Sequence, residues 1–118
     1  MKKTIVLGAS NNPERYSYKA IEMLLNHHYP VFAVGMKKEA VLGIEIAQEL
    51  PSEKVDTVTL YVGPKNQIDW IDHIIALQPN RVIFNPGTEN LEFQEKLNHA
   101  GIAWEEACTL VLLSTNQY

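Results

Sequence analysis

The chain has 118 residues, 46% of them hydrophobic, and a formal net charge of −4. That length suits one domain with a buried core and is too short for two, so we expect a single domain over residues 1–118. No cluster of lysine and arginine resembles the electrostatic footprint of a DNA- or RNA-binding protein, so we do not expect a nucleic acid partner.

The single cysteine, Cys108, excludes an intrachain disulfide and a multi-cysteine zinc site, and it favours a cytoplasmic location. The first apolar run extends only from Ile5 to Leu7, which is too short for a signal peptide or a membrane span. We therefore expect neither secretion nor a membrane partner.

The first half of the chain predicts a strand–helix–strand unit. The apolar run at residues 5–7 predicts a strand that ends in a glycine-bearing turn. A helical pattern follows from about Pro13 to His28, and residues 31–34 predict the second strand. Residues 36–50 give only a weak, short helix signal, so their structure stays open.

The second half continues this alternation. Its predicted strands are residues 55–62, 82–84 and 102–104, and its predicted helices are residues 66–77 and 91–100. The tail at residues 108–113 is apolar and fits either a helical turn or a strand.

Five strands that alternate with helices predict an α/β fold, namely a Rossmann-like three-layer sandwich with a five-stranded parallel sheet. The carboxyl ends of parallel strands lie along one edge of such a sheet, and ligands bind there. Four polar loops follow the first four strands, so we expect them to line one crevice. The loops are residues 8–15, 35–39, 63–66 and 85–90.

The loop after the first strand has the features of a phosphate site. It begins with Gly8, Ala9, Ser10, Asn11 and Asn12. Small residues allow backbone N–H groups to approach a ligand, and the start of the next helix favours an anion. The alternative is an ordinary turn in which one of the three polar residues caps the helix. The full G-x-G-x-x-G pattern is absent.

Cations follow the first and second strands. Arg15 can pair with a phosphate, and its alternative is a surface ion pair with a nearby carboxylate. The second strand ends at Gly35, followed by Lys37 and Lys38. An NAD site would need an acidic residue here, whereas two lysines suit a ribose phosphate, as in NADP or coenzyme A. The alternative is a solvent-exposed lysine pair.

Two segments carry a family resemblance. The first is GAS at residues 8–10 followed by Pro13, Arg15, Ser17 and Tyr18, and the second is IFNPGTEN at residues 83–90. Both closely resemble the family of small stand-alone CoA-binding domains, which is similar to the CoA-binding Rossmann domain of the succinyl-CoA synthetase alpha subunit. The resemblance covers essentially the whole chain.

The resemblance implies binding of coenzyme A or an acyl-CoA. Gly8, Ala9, Ser10 and Arg15 match the motif that holds the CoA phosphates, and the adenosine end would lie near residues 35–37. The pantetheine arm would run towards two loops that contain Val62, Gly63 and Pro64, and Asn85, Pro86 and Gly87. Three positions depart from the family pattern: Gly35-Met36 replaces Asn-Pro, Asn85 replaces Gln, and Ala107 replaces Arg.

No catalytic group is evident in the sequence, so we expect a binding module rather than an enzyme. The four histidines, His27, His28, His73 and His99, fall on predicted helices or their ends, away from the crevice. Cys108 is either an inert buried thiol or a thiol that exchanges with CoA.

Two other functions stay open from the sequence. One is a small NADP- or nucleotide-dependent enzyme that uses the same crevice. The other is an interaction domain that has lost its cofactor and binds an unidentified protein partner or a second copy of the chain.

Overall fold

A computed structural model, which describes residues 2–118, shows one seven-stranded sheet between two layers of helices. The strands are β1 (Thr4–Leu7), β2 (Val31–Val34), β3 (Ala40–Val41), β4 (Ile44–Ala47), β5 (Thr57–Leu60), β6 (Arg81–Phe84) and β7 (Ala103–Glu106). The helices are α1 (Tyr16–Asn26), α2 (Pro64–Gln67), α3 (Ile71–Leu77), α4 (Leu91–Ala100) and α5 (Thr109–Ser114), and a 3-10 turn (Ile68–Trp70) joins α2 to α3.

The strand order is β3-β4-β2-β1-β5-β6-β7, and every neighbouring pair is parallel except β3 with β4. At the carboxyl end of β1, Leu7 lies opposite Val34 of β2 and Leu60 of β5. The loops that leave these three strands therefore start at one level, which is the geometric requirement for a shared crevice.

Alternate residues of β1 face opposite helical layers, as the period-two geometry of a strand requires. Ile5 and Leu7 pack in the core that α3 and α4 cover, whereas Val6 packs in the core that α1 and α5 cover. Because helices cover both faces, all four residues of β1 are buried. The Rossmann-like three-layer α/β architecture predicted from the sequence is confirmed.

The predicted number of strands is wrong. Residues 36–50, which gave a weak helix signal, instead form the antiparallel hairpin β3–β4, and β4 also pairs with β2. Leu42 and Gly43 both have positive φ and form the hairpin turn. The sheet therefore has seven strands, and they are not all parallel.

Two further boundaries differ from the prediction. Helix α1 begins at Tyr16 rather than near Pro13, so all of residues 8–15 belong to the first loop. The apolar tail forms α5, and Leu113 of this helix is buried against the core beneath α1. Tertiary packing therefore decides what the periodicity of this tail left open.

Candidate functional site

A crevice with a cavity volume of about 850 Å3 opens at the carboxyl ends of β1, β2, β5 and β6. All four loops that follow these strands contribute to its lining. The lining residues are Gly8, Ala9, Ser10, Asn11, Asn12, Glu14, Arg15, Tyr16, Ser17, Met36, Lys37, Glu39, Tyr61, Val62, Gly63, Asn66, Pro86, Gly87 and Thr88.

Gly8 allows the first loop to pass close to the end of β5. Its φ is +99°, and a Cβ atom placed on it would lie 2.8 Å from the carbonyl oxygen of Tyr61. An L-amino acid with a side chain therefore fits neither the backbone conformation nor the available space. The small residue at this position is required by packing inside the protein, before any ligand is considered.

The backbone N–H groups of Gly8 and Ala9 are not free for a ligand. Both donate to the carbonyl oxygen of Val34, at 2.8 Å and 2.9 Å respectively. This differs from the simplest form of the sequence hypothesis, in which the turn N–H groups hold a phosphate oxygen. Donors for an anion must therefore come from later in the loop or from the start of α1.

The segment that leads to α1 is organised by its own side chains. The Asn12 N–H donates to Ser10 Oγ at 3.1 Å, and the Glu14 N–H donates to Asn12 Oδ1 at 3.0 Å. Arg15 is the N-cap residue of α1, and its side chain does not cap the helix. The first-turn N–H groups of α1 and the exposed Arg15 guanidinium therefore both lie beside the crevice.

The residues that follow β2, which the sequence predicted to bind the ligand together, take different positions. Lys37 lines the crevice, whereas Lys38 does not. Gly35 is buried beneath the first loop, where a Cβ atom would lie 2.7 Å from the Ala9 carbonyl oxygen. The glycine that replaces the asparagine of the family pattern thus has a packing role.

The exits of β5 and β6 form the opposite wall. Val62, Gly63, Pro86 and Gly87 line it. Pro64, the first residue of α2, does not line the crevice, whereas Asn66 of the same helix does.

Asn85 also lies outside the crevice lining. Its side chain is buried, donates to Thr59 Oγ1 at 2.6 Å and to the Leu60 carbonyl at 2.8 Å, and accepts from the Thr109 N–H at 2.9 Å. These bonds tie the end of β6 to β5 and α5.

Eight lining residues were not singled out from the sequence. They are Glu14, Tyr16, Ser17, Met36, Glu39, Tyr61, Asn66 and Thr88. Five of them lie within the loops that were predicted to line the crevice, and only Tyr16, Ser17 and Tyr61 lie just outside those loops. Glu39 is the most informative, because an acidic residue after the second strand is a feature by which dinucleotide-binding folds recognise ribose hydroxyls.

The charges of the crevice balance. Arg15 and Lys37 supply two cations, and Glu14 and Glu39 supply two carboxylates. Within residues 2–118 the ion pairs are Lys3 with Glu53 and Arg81 with Glu105, so none of the four crevice charges is paired. Recognition of an anion here depends on the position of each charge rather than on their sum.

Tyr61 places its hydroxyl out of contact with solvent and without a hydrogen-bond partner in residues 2–118. Burial disfavours the phenolate and raises the pKa of Tyr61 to about 12. At neutral pH this residue is therefore a neutral part of the crevice wall.

Cys108 and the histidines lie outside the crevice lining. Cys108 is a free, half-buried thiol at the N-cap of α5. The described part of the chain contains no cluster of histidine, cysteine and carboxylate side chains that could hold a metal ion. No helix in residues 2–118 has both the length and the apolar character to cross a bilayer.

The parallel sheet, its two helical layers and the crevice at the carboxyl ends of the strands define a Rossmann-like α/β protein. The family model described as the CoA binding domain matches residues 2–114, and the chain belongs to this family. Family membership supports coenzyme A as the ligand, and none of the comparisons supports NADP.

Solved structures of similar proteins extend over nearly the whole chain. The crystal structure of an uncharacterized protein is 49% identical with a TM-score of 0.96, over 100% of this chain and 98% of that one. A hypothetical protein from Pyrococcus horikoshii OT3 is 30% identical with a TM-score of 0.89, over 97% of this chain and 82% of that one. No curated protein gives a significant match.

A larger enzyme shares the fold. The dinucleotide-forming acetyl-coenzyme A synthetase 1 of Ca. Korarchaeum cryptofilum is 17% identical with a TM-score of 0.72, over 89% of this chain and 25% of that one. At this identity the likeness is one of fold alone.

Proposed function

We propose that residues 1–118 form a single, non-catalytic domain that binds coenzyme A or an acyl-CoA in the crevice. One observation carries the proposal: in a chain of the CoA-binding family, the motif residues Gly8–Ser10 and Arg15 adjoin a crevice to which three other strand-exit loops contribute. The crevice of about 850 Å3 has the size of a cofactor site.

The pyrophosphate would bind at the start of α1. The N–H groups of Gly8 and Ala9 already donate to Val34, so the donors available are the first-turn N–H groups of α1 and the Arg15 guanidinium. The helix dipole favours an anion at this end, and a guanidinium can pair with two phosphate oxygens at once. This arrangement assigns the strongest anion contact to Arg15.

The pantetheine arm would lie between the exits of β5 and β6. Val62 and Pro86 offer apolar surface, while Asn66 and Thr88 offer polar side chains. Pantetheine alternates methylene groups with amides, so a wall of this mixed character suits it. The acyl group, when one is present, would extend beyond this wall towards solvent or a protein partner.

A binding role is favoured by the way that the ionisable groups of the crevice are spaced. Nucleophilic catalysis requires a nucleophile hydrogen-bonded to a base, and within residues 2–118 the Tyr61 hydroxyl has no hydrogen-bond partner and neither Glu14 nor Glu39 forms an ion pair. We place this function in the cytoplasm, where a chain with one free cysteine meets a reducing environment.

Isothermal titration calorimetry and thermal unfolding with CoA, acetyl-CoA, NADP and NAD test the proposal. We expect CoA and acetyl-CoA to bind and to raise the melting temperature. At a free ligand concentration about 100 times the dissociation constant, binding should add about 2.7 kcal/mol to the free energy of unfolding. NADP and NAD serve as controls that share the adenosine diphosphate group. Failure of both CoA ligands to bind would contradict the proposed function and favour an interaction domain.

A further inference from the structure

The loop that follows β2 brings two opposite charges to one end of the crevice. Lys37 and Glu39 both line the cavity, and Lys38 between them does not. Met36 also lines the cavity, so this segment offers the crevice one apolar side chain, one cation and one anion. A purely electropositive site for a ribose phosphate would not need the carboxylate.

Hydrogen bonds on both sides of the two residues hold this loop in place. The Ile46 N–H donates to the Glu39 carbonyl at 2.7 Å, and Gln48 Nε2 donates to the Met36 carbonyl at 2.9 Å. The hairpin β3–β4 therefore fixes the backbone from which Lys37 and Glu39 project. A backbone held in this way limits where the two charges can lie, and such positioning can distinguish ligands that differ only in the position of a group.

Neither Lys37 nor Glu39 has an ion-pair partner within residues 2–118. Glu39 is half-buried, and its carboxylate forms no hydrogen bond or ion pair there. A carboxylate that is partly removed from water and lacks a donor is stabilised by a ligand that supplies one. A sugar hydroxyl is such a donor, whereas a phosphate is not.

We propose that Lys37 and Glu39 select a ribose with a 3′-phosphate and a free 2′-hydroxyl. Lys37 pairs with the 3′-phosphate, and Glu39 accepts a hydrogen bond from the adjacent 2′-hydroxyl. A 2′-phosphate would place its charge against Glu39, and repulsion between like charges at a binding site is costly. This inference rests on the proposed function, and it explains how a CoA site would reject an NADP-type ribose.

Two positional isomers isolate this discrimination: adenosine 3′,5′-bisphosphate and adenosine 2′,5′-bisphosphate. They have equal charge and size, so a difference in affinity reports only where the second phosphate lies. We expect the intact protein to prefer the 3′,5′ isomer by about tenfold, measured by competition against CoA. In Glu39→Gln, where the amide oxygen still accepts a hydrogen bond, the preference should fall to about threefold or less through tighter binding of the 2′,5′ isomer.

Dephospho-CoA tests the role of Lys37. Lys37→Met should weaken CoA by about tenfold and leave dephospho-CoA unchanged, because only CoA carries the 3′-phosphate. Lys38→Met is the matched control, since Lys38 has the same charge, is exposed and does not line the crevice. It should leave both affinities unchanged.

The outcomes separate this inference from the proposed function. If the intact protein does not bind CoA, the proposed function itself fails. If CoA binds but the two isomers compete equally, or if Glu39→Gln keeps the full preference, the selection by Lys37 and Glu39 is overturned while CoA binding stands.

Discussion

Arg15 occupies the junction between the first loop and α1, where its backbone begins the helix and its side chain lies at the crevice. It is exposed and unpaired within residues 2–118, so no internal ion pair competes with a ligand phosphate for it. The sequence alternative of a surface ion pair is not formed. Its position makes it the side chain through which the proposed phosphate contact can be tested directly.

Replacing Arg15 with alanine should weaken CoA binding by about 1.5–3 kcal/mol, because a charge-assisted hydrogen bond to phosphate is lost. Calorimetry measures the effect. Lys96→Ala is the control, since it also removes one exposed cation and Lys96 lies outside the crevice lining. Equal affinities for Arg15→Ala and the unmodified protein would exclude Arg15 from the phosphate site.

Gly8→Ala should destabilise the protein by about 2 kcal/mol, because the new Cβ atom meets the Tyr61 carbonyl and the backbone is held at positive φ. Gly63→Ala is a matched control, as a Cβ atom at Gly63 meets nothing within 4 Å and its φ is −70°. Urea unfolding of the two variants gives the comparison. A Gly8→Ala protein as stable as Gly63→Ala would show that the loop can move away from β5 at no cost.

At the scale of elements, one buried side chain joins the two loops that form the proposed pantetheine wall. Gln67, in α2, donates through Nε2 to the Val62 carbonyl at 2.9 Å and to the Thr88 carbonyl at 2.8 Å. Its Oε1 accepts from Asn90 Nδ2 at 3.0 Å, and Asn90 in turn caps α4. The exits of β5 and β6 are therefore held together by side-chain contacts rather than by sheet hydrogen bonds.

We predict that Gln67→Ala lowers the free energy of unfolding by about 2–3 kcal/mol, since two buried carbonyl groups lose their donor. The variant should also bind CoA more weakly, because the two loops are no longer fixed relative to each other. Lys65→Ala in the same helix is exposed and should change stability by less than about 0.5 kcal/mol. Chemical unfolding measures the stability and calorimetry measures the CoA affinity. An unchanged CoA affinity in Gln67→Ala would show that binding does not depend on the contacts by which Gln67 joins the two loops.

For the molecule as a whole, the central sheet has a hydrophobic core on each face. Tyr61 packs against the core under α1 and α5 and also lines the crevice. Its buried hydroxyl makes the folded state sensitive to alkaline pH. The pKa of Tyr61 is about 12 in the folded protein against an ordinary value of 10.0. The folded state thus binds this proton more tightly than the unfolded state, and the resulting stabilisation is complete below about pH 10 and disappears as the pH rises through about 12.

Raising the pH from about 9 to about 12 should accordingly lower the free energy of unfolding of the unmodified protein. The decrease should be about 2–3 kcal/mol larger than the decrease in Tyr61→Phe, which lacks the titrating hydroxyl. Below that range Tyr61→Phe should be at least as stable, because the hydroxyl that it lacks has no partner. Tyr16→Phe is the control, since Tyr16 is 68% exposed. Parallel pH profiles for Tyr61→Phe and Tyr16→Phe would refute this assignment.

The hairpin β3–β4 shows where local pattern stops being informative. Val41, Leu42, Ile44 and Ile46 are the large apolar residues of residues 40–47, and their spacing gives only a weak, short helix signal. The segment becomes a strand pair because β2 has an unpaired edge to which β4 can add. A neighbour that lies ten or more residues away in the chain cannot be read from a window of this length.

Some residues of the candidate site could likewise be predicted from local sequence, and others could not. Gly8, Ser10 and Arg15 could be selected from the sequence, because a turn, a helix start and a nearby cation are local features. The different positions of Lys37 and Lys38 and the burial of Asn85 could not be predicted, because each depends on how the β2 and β6 exits pack against other elements. Glu39 lies in a loop that the sequence did predict to line the crevice, but its role as a lining residue was not singled out.

By itself, the sequence determined five of the strands, the helices between them, the three-layer α/β architecture and the family, since hydrophobic period and turn residues act over a few positions. Only the tertiary structure decided the seven-strand count, the use of the Gly8 and Ala9 N–H groups by Val34, and the membership of the crevice wall. These features arise from contacts between segments that are distant in the chain, and such contacts form only when the sheet brings the strand ends together.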